Sequence, residues 1–375
     1  MSGTHPLSTE KRRIIKQFSG KSDSTAAIQM ANTLIPYAGL WLLAYASLSV
    51  SLWLTALCGV LMCLFLLRIF VLMHECGHNS LFATARYNKQ AGFLLGVLCG
   101  MPQHIWAKNH AFHHATNGNW DQYRGPLATL SLEEYQALTE KQQWIYRNTR
   151  HIAFAPVGGF LYLLVNPRLN WLKGNLAMAR ELIRRKRQQP SVPLRTLVSE
   201  HESRYWRDSR EYRHMSGNNL VLLSLWALMA WAMGPLFFFV FYTLTLSLSG
   251  AGGIILFTVQ HNFEDSLASE EADWDYHRAA VEGTSFLVLP AWLNWFTADI
   301  AYHHIHHLSA SIPNYHQAEA HRTYHHLFED VPRLTLWQIP ASLKNNLWDK
   351  EQRRITSLQR WNGSGNVTAT EQSGR

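Results

Sequence analysis

Charge is what this sequence has least of. Asp, Glu, Lys and Arg make up only 16% of its 375 residues, and they gather in a few segments that leave long uncharged stretches between them. That distribution excludes an ordinary solvated surface over those stretches and points to spans set by bilayer thickness. Mean hydropathy is nonetheless −0.14, so a good part of the chain lies outside lipid. There are four cysteines, Cys58, Cys63, Cys76 and Cys99, and no CxxC pair. A disulfide framework and a CxxC zinc site are both excluded, and the thiols read as reduced packing residues. A net charge of +8 could serve nucleic acid, but no nucleic-acid-binding fingerprint accompanies it. Basic flanks on the cytoplasmic side of spans account for the charge more simply. The polar first 27 residues, with Lys11, Arg12, Arg13, Lys16 and Lys21, read as a cytoplasmic segment rather than a cleaved signal peptide.

What is present is apolar sequence in two long blocks. Between Met30 and Met73 there is one charge, Arg68. The block suits two spans, 30–48 and 52–73, with Ser47-Leu-Ser-Val-Ser51 as the turn. Arg68 can snorkel to headgroups or, seven positions before Glu75 on the same helical face, pair with it. The second block, 219–259, is uncharged and interrupted by Gly234-Pro235. It reads as a hairpin of spans 214–233 and 236–258, in which Gly250, Gly252 and Gly253 permit close helix packing.

Shorter segments read differently. Residues 91–101 are apolar, but a helix of that length rises only about 16 Å. They are expected to be re-entrant or interfacial, since the bilayer core is about 30 Å thick. Residues 131–150 read as a soluble helix, and 151–165, bounded by Pro156 and Pro167, as interfacial or buried. Residues 171–189, with Lys173, Arg180, Arg184, Arg185, Lys186 and Arg187, read as a basic helix on anionic headgroups or in solvent. Residues 284–298 are expected to form a further interfacial helix. The expected organisation is an N-terminal segment 1–27, a membrane domain 28–345 and a polar tail 346–375. The fold class is an all-α membrane protein with four transmembrane helices as two hairpins.

The chain has 20 histidines, and three clusters of them follow apolar sequence. His74 and His78 form HxxxH; His110, His113 and His114 form HxxHH; His303, His306 and His307 form a second HxxHH. Residues three and four apart share a helical face, so each cluster can aim two or three imidazoles at one centre. Eight such ligands suffice for two metal ions, for which imidazole suits zinc or iron. His261, at the end of the second apolar block, is a ninth candidate, its other reading being a hydrogen-bonding neighbour. His304 points to an adjacent face and is left out. His104, His151, His316, His321 and His325 lack the spacing and read as structural. Glu75, Asn117, Asn119, Asp121, Glu264 and Asp265 are the polar groups expected to orient ligand imidazoles.

A metal site under a bilayer suits oxidation by O2 of an unactivated C–H bond in a chain placed by shape alone. A metal transporter is the rival from another class, but its ligands belong within spans, whereas these follow them. A haem protein needs only one or two axial histidines.

At this point the sequence resembles the membrane-bound fatty acid desaturases, most of all bacterial acyl-lipid omega-6 (delta-12) enzymes. The resemblance rests on Arg68-Ile-Phe with His74-Glu-Cys-Gly-His78, His110-Ala-Phe-His-His114 and Tyr123-Arg-Gly125. Leu130-Ser-Leu-Glu-Glu-Tyr135, Val259-Gln-His-Asn-Phe-Glu264, His303-His-Ile-His-His307 and Ile312-Pro-Asn-Tyr315 extend it over about residues 35–345. It implies four spans with both termini cytoplasmic, a cytoplasmic helical cap and a diiron centre with the nine histidines as ligands. It implies an acyl-lipid substrate, O2, and a separate ferredoxin or cytochrome b5 type donor with its reductase. A bacterial inner membrane is the expected location. Hydroxylases, epoxygenases and ketolases share this scaffold.

Overall fold

A computed structural model describes residues 6–360. A first helix, α1 (Pro6–Phe18), precedes a hairpin of α2 (Asp23–Ser47) and α3 (Leu52–Gly77). Ser22 caps α2 by accepting from Thr25 N at 3.2 Å. The turn falls at the expected polar patch, and Ser47 Oγ meets Thr55 Oγ1 across it at 2.8 Å. Next come α4 (Ala85–Leu98) and α5 (Gln103–Thr116). Further along the chain a second hairpin joins α11 (Ser209–Met233) to α12 (Pro235–Val259). Gly234 turns the chain at φ +79°, which suits glycine, and Pro235 starts α12 where its missing N–H costs nothing. Asp208 caps α11 by accepting from Arg210 N and Glu211 N, both at 2.8 Å.

Among the described residues, four helical stretches are long and apolar enough to cross a membrane: Leu52–Gly77, Ile152–Gln188, Ser209–Met233 and Pro235–Val259. Three match expected spans; the other two assignments differ. The expected span 30–48 lies in α2, whose first half spends Gln29 and Thr33 on buried hydrogen bonds to Arg68 rather than on lipid. Its second half still presents Ile35, Leu42 and Leu43 outward and packs Trp41 on Phe238 and Phe241 of α12. Conversely, 152–188, expected as two separate elements, is one helical run. There α8 (Ala155–Phe160) continues through a π-helical turn at Leu161–Val165 into α9 (Asn166–Gln188). Pro156 falls in the first turn of α8, where a missing N–H is tolerated, and the π-helical turn just before Pro167 accommodates the N–H that proline lacks, so neither breaks the run.

The fold is not purely α. The expected 131–150 helix divides into α6 (Leu132–Gln136) and α7 (Glu140–Thr149), because Ser131 and Thr139 each build a capping box. A strand, β1 (Leu130–Ser131), precedes them, and α10 (Leu194–Ser199) lies between α9 and α11. Beyond α12 lie α13 (Tyr276–Glu282), β2 (Phe286–Val288), α14 (Ala291–Phe296), α15 (His303–Leu308), α16 (Asn314–Thr323), β3 (Arg333–Thr335) and α17 (Ile339–Ser342). The segment 284–298, expected as one helix, is therefore a strand and a short helix, since Pro290 starts α14. Two further strands, β4 (Asn345–Asp349) and β5 (Arg354–Ser357), follow α17. In one sheet β4 runs parallel to β1 and antiparallel to β5; in the other β2 runs parallel to β3. The start of the expected tail is thus folded, with Trp348 stacked on Trp120 at 4.1 Å; residues 361–375 lie outside the described residues.

Packing converges on α12, which touches α3, α8, α11 and α17. Its closest approach is backbone to backbone: a Cβ on Gly250 would lie 2.8 Å from Gly159 Cα. A Cβ on Gly252 would meet nothing nearer than Leu67 at 3.9 Å. Gly250→Ala is therefore expected to destabilise the detergent-solubilised protein by about 1–3 kcal/mol, read as a lowered Tm, while Gly252→Ala leaves Tm near wild type.

Candidate metal centre

Four chain segments bring their histidines to one place. His74 is in the last turn of α3, and His78 caps that helix as Asn79 reverses the chain at φ +55°. His110, His113 and His114 line one face of α5, and His261 lies two residues past the end of α12. His303, His306 and His307 lie on α15, whose six residues are all buried. The nine candidates divide into two sets: His74, His78, His110, His114 and His306, and His113, His261, His303 and His307. Within each set the ligating nitrogens lie within 4.8 Å of one another. The sets adjoin, with the His114 and His307 rings stacked at 4.2 Å.

The nitrogens fit a metal better than they fit one another. His74 Nε2, His78 Nε2, His113 Nδ1, His303 Nδ1, both nitrogens of His306 and His307 Nε2 are buried without a hydrogen-bond partner. An unmatched buried polar atom costs about 1–3 kcal/mol, so this many in one volume signals a missing partner. His110 and His114 bring Nε2 atoms to 3.0 Å, and His261 and His303 to 2.9 Å. Metal–imidazole bonds of about 2.1 Å at right angles place nitrogens about 3.0 Å apart. Burial also holds the imidazoles neutral, the form that ligates. His78 is pushed down to about 3 and His261 to about 4, chiefly by desolvation. Desolvation, reinforced by neighbouring histidines, holds His110, His113, His114, His303, His306 and His307 well below the ordinary range.

The polar groups expected around the site divide. Glu75 is fully buried behind the five-histidine set, accepting from His74 Nδ1 at 3.1 Å, with His306 Nδ1 at 3.9 Å. It does not pair with Arg68, which bonds Thr33, Gln29 and the Trp295 carbonyl and stacks over the Trp295 ring. Asn117 bonds the Ala279 carbonyl and Trp274, Asn119 reaches Glu271, and Asp121 accepts from Glu271 N. Glu264 and Asp265 pair with Arg360. These five brace the loops that carry the site, and the bonds they make are with groups other than the nine imidazoles. Sequence reasoning missed the Gly283 carbonyl, which takes His261 Nδ1–H at 3.3 Å and so directs Nε2 inward. It also missed Trp106, stacked on His110 at 4.6 Å with its N–H donated to Tyr162 Oη at 2.9 Å. Backbone carbonyls and residues outside the clusters leave no spacing to read. His304 faces away and pairs its Nε2 with His321 Nδ1 at 2.8 Å.

An apolar cavity of about 450 Å³ opens onto both sets, through His110 on one side and His113 and His261 on the other. Its walls come from α3, α5, α8, α12 and the loop at Tyr123–Leu127, with Phe70, Trp106, Leu163 and Phe257 prominent. Membrane-length helices, two adjoining histidine sets able to hold metal and an apolar chamber open to both describe a helical membrane protein with candidate metal sites beside an apolar pocket. Comparison with known proteins supplies the rest. A fatty acid desaturase profile matches residues 51–340. A fatty acid desaturase of Bacillus subtilis (strain 168) is 34% identical over 94% of this chain and 92% of its own. An sn-2 acyl-lipid omega-3 desaturase (ferredoxin) of Helianthus annuus is 25% identical over 67% of this chain, and the match spans about half of that protein at 51%. A Vigna radiata var. radiata omega-3 fatty acid desaturase of the endoplasmic reticulum is 24% identical, covering 67% and 60%. The chain belongs to the fatty acid desaturase family and is an oxidoreductase, a fatty acid desaturase.

If each set holds one ion, His306→Ala and His303→Ala should each lower iron from two per chain to one, by elemental analysis of iron-loaded protein. His304→Gln should keep both. Loss of both ions from either single variant would mean that the sets are not separate sites.

Proposed function

We propose that the protein inserts a cis double bond into an acyl chain of a membrane phospholipid or glycolipid, using O2 and two irons held by the nine histidines. The observation that carries this reading is that one apolar cavity meets both histidine sets. Its volume falls in the range of about 300–1,000 Å³ common for ligand sites. Leu246, Gly250, Gly253 and Phe257 follow one face of α12 into it, toward His261 beyond the helix end. From Leu246 to Phe257 the helix rises about 16 Å, an elongated path that suits a chain. An acyl chain has no polar handle near its middle, so its register must come from shape, each buried CH2 contributing about 0.8 kcal/mol.

His74, His78, His110, His114 and His306 would hold one iron, and His113, His261, His303 and His307 the other. Bound there, the irons supply reduction of O2 coupled to removal of hydrogen from adjacent carbons. The chain's own residues do the positioning. Trp106 backs His110 and walls the cavity, Tyr162 fixes the Trp106 ring, and the Gly283 carbonyl fixes the His261 tautomer. Phe70, Leu163 and Phe257 keep water from the reacting carbons. The regiochemistry we assign, delta-12 of an oleoyl chain, follows from the resemblance of the motifs. The donor is a ferredoxin or cytochrome b5 type protein with its reductase, and the sunflower relative, named for ferredoxin, supports the first.

Both termini and the metal centre face the cytoplasm, in a bacterial inner membrane. Parity supports this. His114 and His261 belong to adjoining sets, so the chain between them crosses the membrane an even number of times. Of the three membrane-length runs there, α11 and α12 form the hairpin. The α8–α9 run contacts the histidine-proximal halves of both: Gly159 meets Gly250, Trp171 meets Ser216 and Asn175 meets Tyr212. It therefore lies along the cytoplasmic half of the bilayer rather than across it. Accessibility tags near residues 5, 180 and 370 should report cytoplasm, and one near residue 49 the opposite side; a tag at 180 on the far side would overturn the assignment.

Expression in a host whose lipids are only monounsaturated, with ferredoxin and reductase supplied, should give a dienoic chain with the new bond at delta-12, by gas chromatography–mass spectrometry of methyl esters. A hydroxy or epoxy product would move the protein to the oxygenase branch. A bond at another position, such as omega-3 of a dienoic chain, would keep the chemistry and overturn the regiochemistry.

A further inference from the structure

Behind the five-histidine set the structure has a chain of buried hydrogen bonds that, among the described residues, has no counterpart behind the four-histidine set. Glu75 Oε1 accepts from His74 Nδ1 at 3.1 Å, and Oε2 accepts from Ser80 Oγ at 2.9 Å and from the backbone N–H of Asn314 at 3.1 Å. The Asn314 amide is paired both ways with the Gln29 amide: its Nδ2 donates to Oε1 at 2.9 Å, and its Oδ1 accepts from Nε2 at 3.4 Å. Gln29 Oε1 also accepts from Arg68 at 3.2 Å, and Arg68 is held by Thr33 Oγ1 at 2.9 Å, by the Trp295 carbonyl and by the Trp295 ring. Gln29, Thr33, Arg68, Glu75 and Asn314 are all buried, and they come from α2, α3 and α16. On the other set, the hydrogen bond to His261 Nδ1 comes from the neutral Gly283 carbonyl.

We propose that Asn314, anchored by Gln29 and Arg68, is a positioning residue for one metal centre only: it fixes the Glu75 carboxylate that orients His74. The two ions are then inequivalent. The five-histidine ion has an imidazole backed by a carboxylate, a more basic ligand than one backed by a carbonyl, and outer partners of this kind typically change metal affinity about 10–100-fold. The Ile312-Pro-Asn-Tyr315 segment and Arg68, far apart in sequence, thus act on the same ligands. Pro313 starts α16 so that the Asn314 N–H is free of the helix ladder and aimed at Glu75. The inference rests on the two-ion reading above.

The test is 57Fe Mössbauer spectroscopy with iron titration on the full-length, iron-loaded protein. Wild type should give two components of equal area. Glu75→Gln should change the isomer shift or splitting of one component and weaken one iron about 10–100-fold. Asn314→Ala should move the same component by less. Asn88→Ala, a variant of an equally buried asparagine bonded to the Phe82 backbone, should move neither. If Asn314→Ala does not accumulate, Gln29→Met, one link further out, should reproduce the one-component change. Wild-type components of equal area that Glu75→Gln and Asn314→Ala leave unmoved, or move together, would overturn the proposal. A single iron in wild type would instead overturn the two-ion reading. The positioning role would then stand only if both variants weaken that one iron, and would fall if they do not.

Discussion

The structure depends on gathering nine imidazoles into one volume where seven of their ring nitrogens are buried without a hydrogen-bond partner. Each unmatched nitrogen opposes folding by about 1–3 kcal/mol, and mutual alignment does not relieve this, since two bare nitrogens at 2.9–3.0 Å repel unless a proton or an ion lies between them. Ions that bind here therefore stabilise the fold as well as equip it. The price of such a centre is rigidity elsewhere, and its supports are drawn from α2, α3, α12 and α16, elements far apart in sequence.

The hairpins meet that demand. Because α3 ends at the histidine sets and α12 ends at them too, the faces these helices share run straight back from the clustered imidazoles into the bundle. The cavity occupies that shared face, with Leu66, Leu67 and Phe70 on one side and Gly250, Gly253 and Phe257 on the other. Gly253 leaves space, and Gly250 lets α8 close the third side through backbone contact with Gly159. Site and substrate chamber are thus one construction, and a change in how α8 sits on α12 alters both.

Much of this was legible in the sequence because it is periodic or local. The spacings within His74–His78, His110–His114 and His303–His307 mark out histidines that the fold does bring together, and His261 stands out by following an apolar run. Span lengths and the Gly234-Pro235 break give the second hairpin. What was not legible is long-range pairing. Asn117, Asp121, Glu264 and Asp265 sit beside ligands in sequence, yet their bonds go to Ala279, Glu271 and Arg360. Arg68 shares a face with Glu75 in sequence, yet it turns to α2 and α14, since Gln29, Thr33 and Trp295 offer it both hydrogen bonds and a ring. The continuous 152–188 helix was hidden because two prolines read as breaks, while a π-helical turn absorbs the misfit between them. The pairing of β4 with β1 was hidden because β1 is only two residues long and lies far upstream.

The uneven surroundings of the two sets follow from the same geometry. The four-histidine set is built from α5, the end of α12 and α15, short or terminal elements whose nearest spare acceptor is a backbone carbonyl. The five-histidine set includes His74, still inside α3, where a side chain one position on can return to the imidazole. That position holds Glu75, and a carboxylate buried there needs donors of its own, since an unmatched buried charge costs several kcal/mol. Ser80 Oγ and the Asn314 N–H supply them, the second from a helix start whose N–H groups are unpaired by construction. Asn314 must then be held in place, which the Gln29 amide does, and Gln29 in turn is held by Arg68. Each buried polar group calls for the next until the chain ends on the Trp295 ring, so a single carboxylate beside one ligand ties together the four helices α2, α3, α14 and α16.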